Sequence, residues 1–465
     1  MNMEYCNCVK NILKIEEQLD IYNETILGYT IWPYIRKEYR EKYIQVKTSL
    51  PPLSNHAHFN AFLILKSTLY SLFHIIKAIV VKRVDNLFVG FPRLEMINNK
   101  YMDKFIDPLI FSSNIGDNFI YIERGRSGRH AFPRYLEKNV IWSEFIDNLS
   151  IISAYILFPC IGILYRNTFS TLINKVNKFY ITSYKENVNI ILSIIQGLVK
   201  TYLIKKLLQI FSIKRCFITA APNFYPYIAS CKSINVPIYE IQHGITVSET
   251  ATYSQYRYHF NSSPDFFLTF GEVFMKNMLF GIPLGKMINI GCAFKSHIQS
   301  YTCDKIDNTF LILSEPQVSD KIIDASIILA DLFPMFFFNL RLHPLEKLNI
   351  CQLDKISQKP NLKLVDSLQN SMITCMMYQG VLGENTTVLY EAVSVGVKAA
   401  RIYFNGLHPN SLKDEPEGLF FNIYTPNDFI NFVNFKLPNN ESGELFYSRF
   451  NKHLFNSILL GEILT

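Results

Sequence analysis

Charged residues are scarce in this sequence. Asp, Glu, Lys and Arg make up 18% of the 465 residues, whereas hydrophobic residues make up 49%. Disordered chains have the opposite balance, so the composition excludes intrinsic disorder. The 19 glycines and 20 prolines follow no repeat, which excludes a fibrous protein. The mean hydropathy of +0.11 is high for a freely soluble protein and low for a polytopic membrane protein. A protein associated with a membrane surface fits these values.

Motifs of secretion and of disulfide frameworks are also missing. Residues 1–23 include Glu4, Lys10 and Lys14 and have no apolar core, so no signal peptide is predicted. The nine cysteines are scattered and form no Cys-x-x-Cys pair, which is typical of a protein in a reducing cytosol. We expect a cytoplasmic protein, peripheral on the inner face of the cytoplasmic membrane.

Positive charge is concentrated in the first half of the chain. The net charge is +7, from 46 basic and 39 acidic residues. Residues 60–215 carry 21 Lys and Arg against 10 Asp and Glu, a surplus of +11, so the remainder carries −4. A basic half indicates an anionic partner such as lipid head groups or a phosphate-linked substrate. Nucleic acid is not predicted as a partner, because no nucleic-acid module and no dense basic run is present.

Two apolar segments bear on membrane binding. Residues 62–81 are interrupted by Lys66, His74 and Lys77, and residues 149–165 are uncharged but contain Pro159. The second segment is at the short limit for a span. Both are typical of helices that lie in the head-group layer, and core helices of a large domain are an equal alternative. We expect attachment to anionic bilayers without spanning.

Short apolar runs alternate with helical stretches in two parts of the chain, before and after the polar residues 300–308. Such alternation predicts parallel sheets built from βαβ units, and the restart predicts two of them. The fold class is therefore α/β, with two Rossmann-like domains. The predicted units are an N-terminal domain at 1–300 with a largely helical, basic insertion at about 140–213, a C-terminal domain at 309–440, and a helix at 441–465 that can cross back.

Ligands of doubly wound sheets bind beyond the carboxyl ends of the strands, so the residues that follow the strands are the candidate site. They are His243 and Gly244, Ser314 and Glu315, Arg341, His343 and Pro344, and Glu384, Asn385, Thr386, Thr387 and Glu391.

The group from Asn385 to Thr387 begins a predicted helix. Its simplest interpretation is an N-cap. A helix N-terminus with hydroxyl groups is also an anion site, so a donor phosphate is the alternative partner. Glu391 lies one turn further on the same helical face, where its carboxylate could accept hydrogen bonds from ribose hydroxyls.

The two histidines each have a catalytic and a structural interpretation. His343, with Arg341 two residues earlier on the same side of the strand, could donate to a departing phosphate. His243, beside Gly244 at a strand end, could accept a proton near neutral pH. A buried histidine with satisfied hydrogen bonds is the alternative for each.

At these residues the sequence resembles the GT-B glycosyltransferase superfold. More narrowly, it is similar to bacterial surface-polysaccharide transferases of the capsule-synthesis, CDP-glycerol-phosphotransferase and CMP-sugar-transferase types. The matching motifs are His243-Gly244, His343-Pro344 and Thr386-Thr387, with Glu391 in the ribose position, and the resemblance covers about 215–404. It implies that His243 is the catalytic base of an acceptor-side domain and that the C-terminal domain binds the nucleotide.

Three features of this sequence differ from the patterns of related enzymes and restrict which reactions are expected. The Asp/Glu-Asp/Glu-Gly triplet of bacterial sialyltransferases of this type is missing, which argues against sialic acid transfer. Glu384 and Glu391 are seven apart, one short of the spacing in many retaining GT-B enzymes, so inversion is expected. No Asp-x-Asp occurs, so a bound metal is not expected, and no cofactor is predicted.

The resemblance thus implies transfer of a sugar from a CMP-, CDP- or UDP-linked donor to a lipid-linked glycan, in O-antigen or capsule synthesis. Three alternatives stay open. One is an isomerase similar to nucleotide-sugar 2-epimerases, another is a polyol-phosphate transferase of the CDP-glycerol type, and the third is a non-catalytic assembly factor.

Overall fold

The computed structural model of the protein describes most of the chain. The described residues are 3–48, 61–81, 83–91, 94–125, 129–244, 252–277, 281–299, 301, 303–344, 346–367, 369–409, 412, 415–437 and 441–462. Lys82, Ser300 and residues 463–465, which belong to segments discussed above, lie outside them.

Helices cover much of the described chain, and several begin at a polar cap. Ser183, for example, forms a reciprocal capping pair with Glu186, which satisfies backbone N–H groups at the start of the longest helix. The α-helices are α1 (Met3–Gln18), α2 (Arg36–Thr48), α3 (Ala61–Val81), α4 (Asp107–Ser112), α5 (Glu144–Leu164), α6 (Arg166–Val176), α7 (Tyr184–Phe211), α8 (Tyr225–Lys232), α9 (Glu272–Asn277), α10 (Ala293–Ile298), α11 (Ser319–Leu332), α12 (Ile350–Ser357), α13 (Ser371–Met376), α14 (Thr387–Ser394), α15 (Asp428–Asn434), α16 (Glu441–Glu444) and α17 (Lys452–Leu460).

Strands form at the short apolar runs. They are β1 (Thr25–Ile26), β2 (Tyr29–Thr30), β3 (Asn86–Val89), β4 (Glu95–Ile97), β5 (Lys100–Met102), β6 (Phe119–Glu123), β7 (Val140–Trp142), β8 (Arg215–Thr219), β9 (Ile238–Ile241), β10 (Phe266–Thr269), β11 (Met287–Asn289), β12 (Thr309–Leu313), β13 (Phe337–Arg341), β14 (Leu362–Val365), β15 (Gly380–Gly383), β16 (Ala399–Ile402) and β17 (Phe421–Ile423). Every residue of β3, β6, β8 and β9 is buried, as expected for parallel strands covered on both faces.

Thirteen of the strands form two separate parallel sheets, whereas β1 with β2 and β4 with β5 form two antiparallel pairs. The first has the order β11-β10-β9-β8-β3-β6-β7, and the second has the order β14-β13-β12-β15-β16-β17. In each sheet the strand order reverses beside a central strand, β3 in the first and β12 in the second. The prediction of an α/β fold with two Rossmann-like domains is confirmed by these two sheets.

The sequence interpretation misses two strands of the parallel sheets. Residues 140–213 contain no convincing strand by pattern, yet β7 pairs with β6 along Val140, Ile141 and Trp142 as an edge strand. Similarly, β17 closes the other edge of the second sheet by pairing with β16. Both strands have only three residues, which is too short for an alternating pattern to stand out, and their formation depends on the neighbouring strand.

The N-terminal helices form a third apolar core with the long helices. Side chains of α1 and α2, with Trp32 between them, pack against α6 and α7. Within this core Glu16 is buried against Arg40, which donates to it, and Trp32 Nε1 donates to Glu16 Oε1 over 3.2 Å. The positive charges lower the pKa of Glu16, although burial alone would raise it.

The chain leaves the first sheet after β11 and enters the second at β12. Its C-terminal part then contacts the first domain again: Cys292 N donates to Ser448 O over 2.9 Å, and Phe455 packs against Phe217 with ring centroids 5.8 Å apart. Gly271 permits this return, because a Cβ there would lie 2.3 Å from the carbonyl oxygen of Leu445. Residues 441–462 therefore link the two domains.

Three helices are long and apolar enough to cross a membrane by length and composition alone. They are Phe62–Ile79, Glu144–Leu164 and Tyr184–Phe211. The first two have 17% of their residues buried inside the protein, and the third has 39%. Thus α3 and α5 present most of their surface outward, whereas α7 contributes much more to the interior.

Candidate active site

A cleft of about 450 Å³ separates the two domains at the carboxyl ends of both sheets. This is the place where open α/β sheets bind ligands. Its lining comes from loops that follow β3, β6 and β9 on one side and β12, β13 and β15 on the other. Parallel strands all deliver their carboxyl ends to one edge, so residues far apart in the sequence converge here.

The structure brings most of the predicted residues together in this cleft. Those that line it are His243, Gly244, Ser314, Arg341, His343, Pro344, Thr386, Thr387 and Glu391. Three other candidates lie behind the lining, because their groups are engaged by neighbouring backbone. Asn385 N donates to Glu315 Oε1 over 2.8 Å, and Glu384 Oε1 accepts from His408 N over 2.8 Å.

His243 is half-buried and belongs to a chain of three polar side chains. Tyr253 Oη donates to Glu240 Oε1 over 2.8 Å and lies 3.3 Å from His243 Nδ1. When Glu240 is ionised, the phenol gives its one proton to the carboxylate, so its oxygen can accept from Nδ1–H of the imidazole. This tautomer leaves Nε2 of His243 unprotonated and able to act as a base.

Glu240 anchors this chain from inside the domain. It is a buried residue of β9 itself, and burial raises its pKa to about 7, although hydrogen bonds from Ala221 N and Tyr253 Oη act in the opposite direction. A carboxyl group with this pKa changes charge near neutral pH, so the direction of the hydrogen bonds along Glu240, Tyr253 and His243 depends on whether Glu240 is ionised.

Arg341 and His343 follow β13 on the opposite wall. Arg341 is buried, and its Nη2 atom donates to Ser367 O over 3.1 Å and also to Gln369 O. Its Nη1 atom is buried without a hydrogen-bond partner in the described part of the chain. The backbone N of His343 donates to Glu346, which holds the strand end in place. Arg341 therefore brings an uncompensated donor to the cleft wall.

The turn between β15 and α14 supplies the second element of this wall. Thr386 is the N-cap, with its Oγ1 accepting from Val388 N over 3.3 Å, so the cap belongs to Thr386 and not to Asn385. Thr387 is the first helical residue and also lines the cleft. The helix N-terminus with its two threonines faces the space between the domains.

Glu391 lies one turn deeper, as the spacing predicts, but it is already bonded. Lys104 Nζ of the first domain donates to Glu391 Oε1 over 3.2 Å, and Ser371 Oγ donates to Glu391 Oε2. Lys104 also contacts Glu95 Oε1 over 3.0 Å. Glu391 therefore joins the two domains, and each oxygen keeps a lone pair for a further donor.

Sequence reasoning missed the basic and aromatic wall of the first domain. Lys104, Glu123, Arg124, Arg129 and His130 all line the cleft. Glu123 is the last residue of β6 and Arg124 is the next residue. The rule that residues following a strand line the site could therefore have found them. No sequence signal marks Lys104, because its role depends on a carboxylate 287 residues away.

No family model matches this chain, and no curated protein sequence matches it. Among solved structures, the chain is similar to the UDP-GlcNAc 2-epimerase of Methanocaldococcus jannaschii at 12% identity and a TM-score of 0.47, over 82% of this chain and 99% of that one. The corresponding enzyme of Neisseria meningitidis, solved with UDP-GlcNAc bound, gives 12% identity, a TM-score of 0.47, and 82% and 100% coverage.

The wall teichoic acid polymerase TagF is another structure to which the chain is similar. The match has 11% identity and a TM-score of 0.43, over 87% of this chain and 98% of that one. These values are too low to transfer an activity. The two-domain assignment rests on the strand orders of this protein itself.

Proposed function

We propose that this protein is a GT-B-type glycosyltransferase that moves a sugar from a nucleotide-activated donor to an acceptor hydroxyl. The observation that carries the proposal is the position of His243. Its base-competent Nε2 is presented by one domain, opposite the arginine, histidine and helix N-terminus of the other. A base facing an anion site across an interdomain cleft suits attack on a sugar whose leaving group is a phosphate.

These groups account for the proton and the electron pair that move in the reaction. The acceptor hydroxyl gives its proton to His243 Nε2 as its oxygen forms a bond to the anomeric carbon. The bond from that carbon to the nucleotide phosphate breaks, and the electron pair leaves with the phosphate. Arg341, His343 and the N–H groups at the start of α14 stabilise the charge that develops there. Attack from the face opposite the phosphate inverts the anomeric centre.

The acceptor in this proposal is a lipid-linked glycan at the inner surface of the cytoplasmic membrane, as in O-antigen or capsule synthesis. The outward face of α3 supports it, with Phe62, Leu65, Leu69 and Phe73 each more than half exposed. A stripe of large apolar side chains on the outside of a helix is typical of interfacial binding.

Thermal-shift measurements with CMP, CDP, UDP and GDP test which nucleotide the protein binds. A nucleotide at a hundred times its dissociation constant stabilises the folded protein by about 2.7 kcal/mol. We expect a pyrimidine nucleotide to raise the melting temperature. We also expect the variant His343→Ala and the double variant Thr386→Ala/Thr387→Ala to bind it roughly ten- to a hundredfold more weakly, because a hydrogen bond to a charged group is lost. Unchanged affinity in both variants would contradict the donor site.

The chemistry is tested with His243→Ala. Loss of general-base assistance lowers turnover by about 10²–10⁴, while nucleotide affinity stays nearly constant because the nucleotide groups lie in the other domain. His453→Ala, which changes an exposed histidine on α17, is the matched control. The reaction products distinguish a glycosyltransferase from the two alternative enzymes. An epimerised nucleotide-sugar identifies an isomerase, and release of CMP with transfer of a polyol phosphate identifies a CDP-glycerol-type transferase.

A further inference from the structure

Trp142 connects the cleft wall to the outer surface of the first domain. Its ring stacks on His130, which lines the cleft, with centroids 3.8 Å apart and planes 6° from parallel. On its other sides it contacts Tyr70 at 5.9 Å, His74 at 5.4 Å and Phe132 at 6.1 Å. Tyr70 and His74 belong to α3. A continuous aromatic surface therefore runs from the cleft to α3.

The helix reached by this surface has hydroxyl groups on its inward side. Ser71 of α3 is buried, and its Oγ accepts from Phe145 N over 3.1 Å at the start of α5. Another inward bond joins Thr68 Oγ1 to Asn148 Nδ2 over 2.6 Å. Five large apolar side chains on its exposed face are spaced three and four apart: Phe62, Leu65, Leu69, Phe73 and Ile76. Tyr70 and the two lysines Lys66 and Lys77 are exposed as well. This arrangement is the reverse of a helix packed on a core, so its outer face suits hydrocarbon.

The same wall carries two exposed arginines. Burial alone would raise the pKa of Asp147, but Lys200 and, less strongly, Arg124 lower it. Arg124 and Arg129 are exposed, line the cleft and make no ion pair with any described residue. The carboxylates beside them are already paired: Glu123 contacts Arg134 and His130. Glu144 contacts His130 Nε2 at 2.9 Å and accepts from Gly125 N over 3.0 Å. The wall between Trp142 and the cleft is thus positively charged.

We infer that Arg124 and Arg129 bind the phosphate or diphosphate of a lipid-linked acceptor whose hydrocarbon chain lies across Trp142 and Phe132 onto α3. This inference rests on the proposed function, which calls for such an acceptor. Guanidinium groups pair with phosphate oxygens in two-pronged geometry, and the aromatic and aliphatic surface beside them has few polar groups to bind a sugar or a peptide. A phosphate joined to a hydrocarbon chain matches both features at once.

The arrangement also orders the substrate. With the phosphate at the arginines and the chain toward α3, the glycan attached to the phosphate extends into the cleft toward His243. Membrane binding by the outer face of α3 would then hold the mouth of the cleft at the bilayer surface. The acceptor enters from the membrane side without leaving the lipid phase.

Tryptophan fluorescence tests the inference directly, because the protein has two Trp residues and Trp32 is fully buried. The probes are farnesyl diphosphate, farnesol and inorganic pyrophosphate. We expect farnesyl diphosphate to change the emission of Trp142 and to bind at least tenfold more tightly than the other two. Trp142→Phe removes the signal if the probe binds at this site. Pyrophosphate binding as tightly as farnesyl diphosphate would overturn the inference.

Variants separate the two halves of the site. Arg124→Ala/Arg129→Ala should weaken farnesyl diphosphate binding roughly ten- to a hundredfold. Phe132→Ser should weaken farnesyl diphosphate but not pyrophosphate. Lys10→Ala/Lys14→Ala, which removes two exposed positive charges from α1, is the charge-matched control. Arginine variants that bind the probe like the unmodified protein would overturn the inference.

Failure of the proposed function gives a different result. A protein that binds farnesyl diphosphate in this manner but none of CMP, CDP, UDP or GDP keeps the lipid-phosphate site and loses the transferase assignment. A protein whose melting temperature responds to a nucleotide, but whose Trp142 emission does not respond to farnesyl diphosphate, loses the lipid-phosphate site alone.

Discussion

Three buried carboxyl groups have pKa values raised to about 7. They are Asp107 and Glu240 in the first domain and Glu315 in the second. Burial is the largest cause in each case, because the ionised form loses its hydration. For Glu315 the nearby carboxylates Glu384 and Glu346 raise the pKa further, and Asn385 N–H lowers it. Because these groups gain or lose a proton near neutral pH, both the stability of the fold and the charge of the site depend on pH in this range.

The stability of the protein should fall as the pH rises from about 4.5 to about 7, partly because of Glu315. In this window the folded protein keeps a proton that the unfolded chain has already lost. Glu315→Gln removes this contribution, which is on the order of 3 kcal/mol at pH 8. Melting temperatures measured between pH 4.5 and 8 should show a smaller slope for this variant. Glu417→Gln, at an exposed position, should keep the original slope.

Tyr253 is a positioning residue for His243. Tyr253→Phe removes the acceptor of the Nδ1 proton, so the base-competent tautomer is no longer favoured. We expect turnover to fall about tenfold, with nucleotide affinity unchanged, and the acid limb of the pH–rate profile to move. Tyr256→Phe, at an exposed tyrosine, is the control. An equal loss of nucleotide affinity in Tyr253→Phe would contradict this role.

At the scale of elements, the burial pattern of α3 departs from what its composition would predict. It is as apolar as a core helix, yet most of its largest side chains are exposed, whereas Ser67 and Ser71 are buried. The inward serine and threonine bonds fix it to the start of α5, so the apolar stripe is a fixed feature of the fold. Such a surface lowers its free energy by entering the head-group layer of a bilayer.

The double variant Leu69→Ser/Phe73→Ser tests this surface. Both side chains are more than half exposed, so the fold should keep its stability, while binding to vesicles that contain 30 mol% phosphatidylglycerol should fall at least tenfold. Co-sedimentation of the protein with the vesicles measures this binding. Ile350→Ser/Leu353→Ser on α12 of the second domain removes a similar apolar area as the control. Equal binding of both variants would contradict the role of α3.

At the scale of the whole molecule, one ionic cluster joins the domains across the cleft. Lys104 contacts Glu95 and Glu391, and Asn370 of the second domain donates to Glu95. These side chains are largely buried, so the two carboxylates depend on the lysine for compensation. The C-terminal return through α17 provides another connection.

Lys104→Met should therefore destabilise the protein by about 3–5 kcal/mol, because it leaves two buried carboxylates facing each other. The double variant Lys104→Met/Glu391→Gln should recover part of this loss, since one of the two charges is removed. Urea unfolding measures both variants. Lys359→Met, which removes a surface ion pair with Asp331, should cost less than about 1 kcal/mol. A double variant less stable than Lys104→Met would contradict the cluster.

The sequence alone determined the two sheets and the positions of the residues that follow their strands. A buried parallel strand is a short apolar run, and the residue after it must lie at the edge where ligands bind, so both are local properties. His243, Arg341, His343 and the Thr386-Thr387 turn could be placed in this way. The short edge strands β7 and β17 could not, because three residues carry too little pattern.

Tertiary structure decided the rest, since it depends on groups distant in the chain. Whether Glu391 faces a ribose or a lysine is set by the approach of Lys104 from the other domain. The tautomer of His243 depends on a phenol from a different segment, Tyr253, and on a carboxylate buried beneath it. Likewise, the apolar composition of α3 suits a core or a membrane equally, and only its packing on β7 and α5 shows that the large side chains face outward. The residue type determines which groups a side chain can bind, and tertiary packing determines which groups lie next to it.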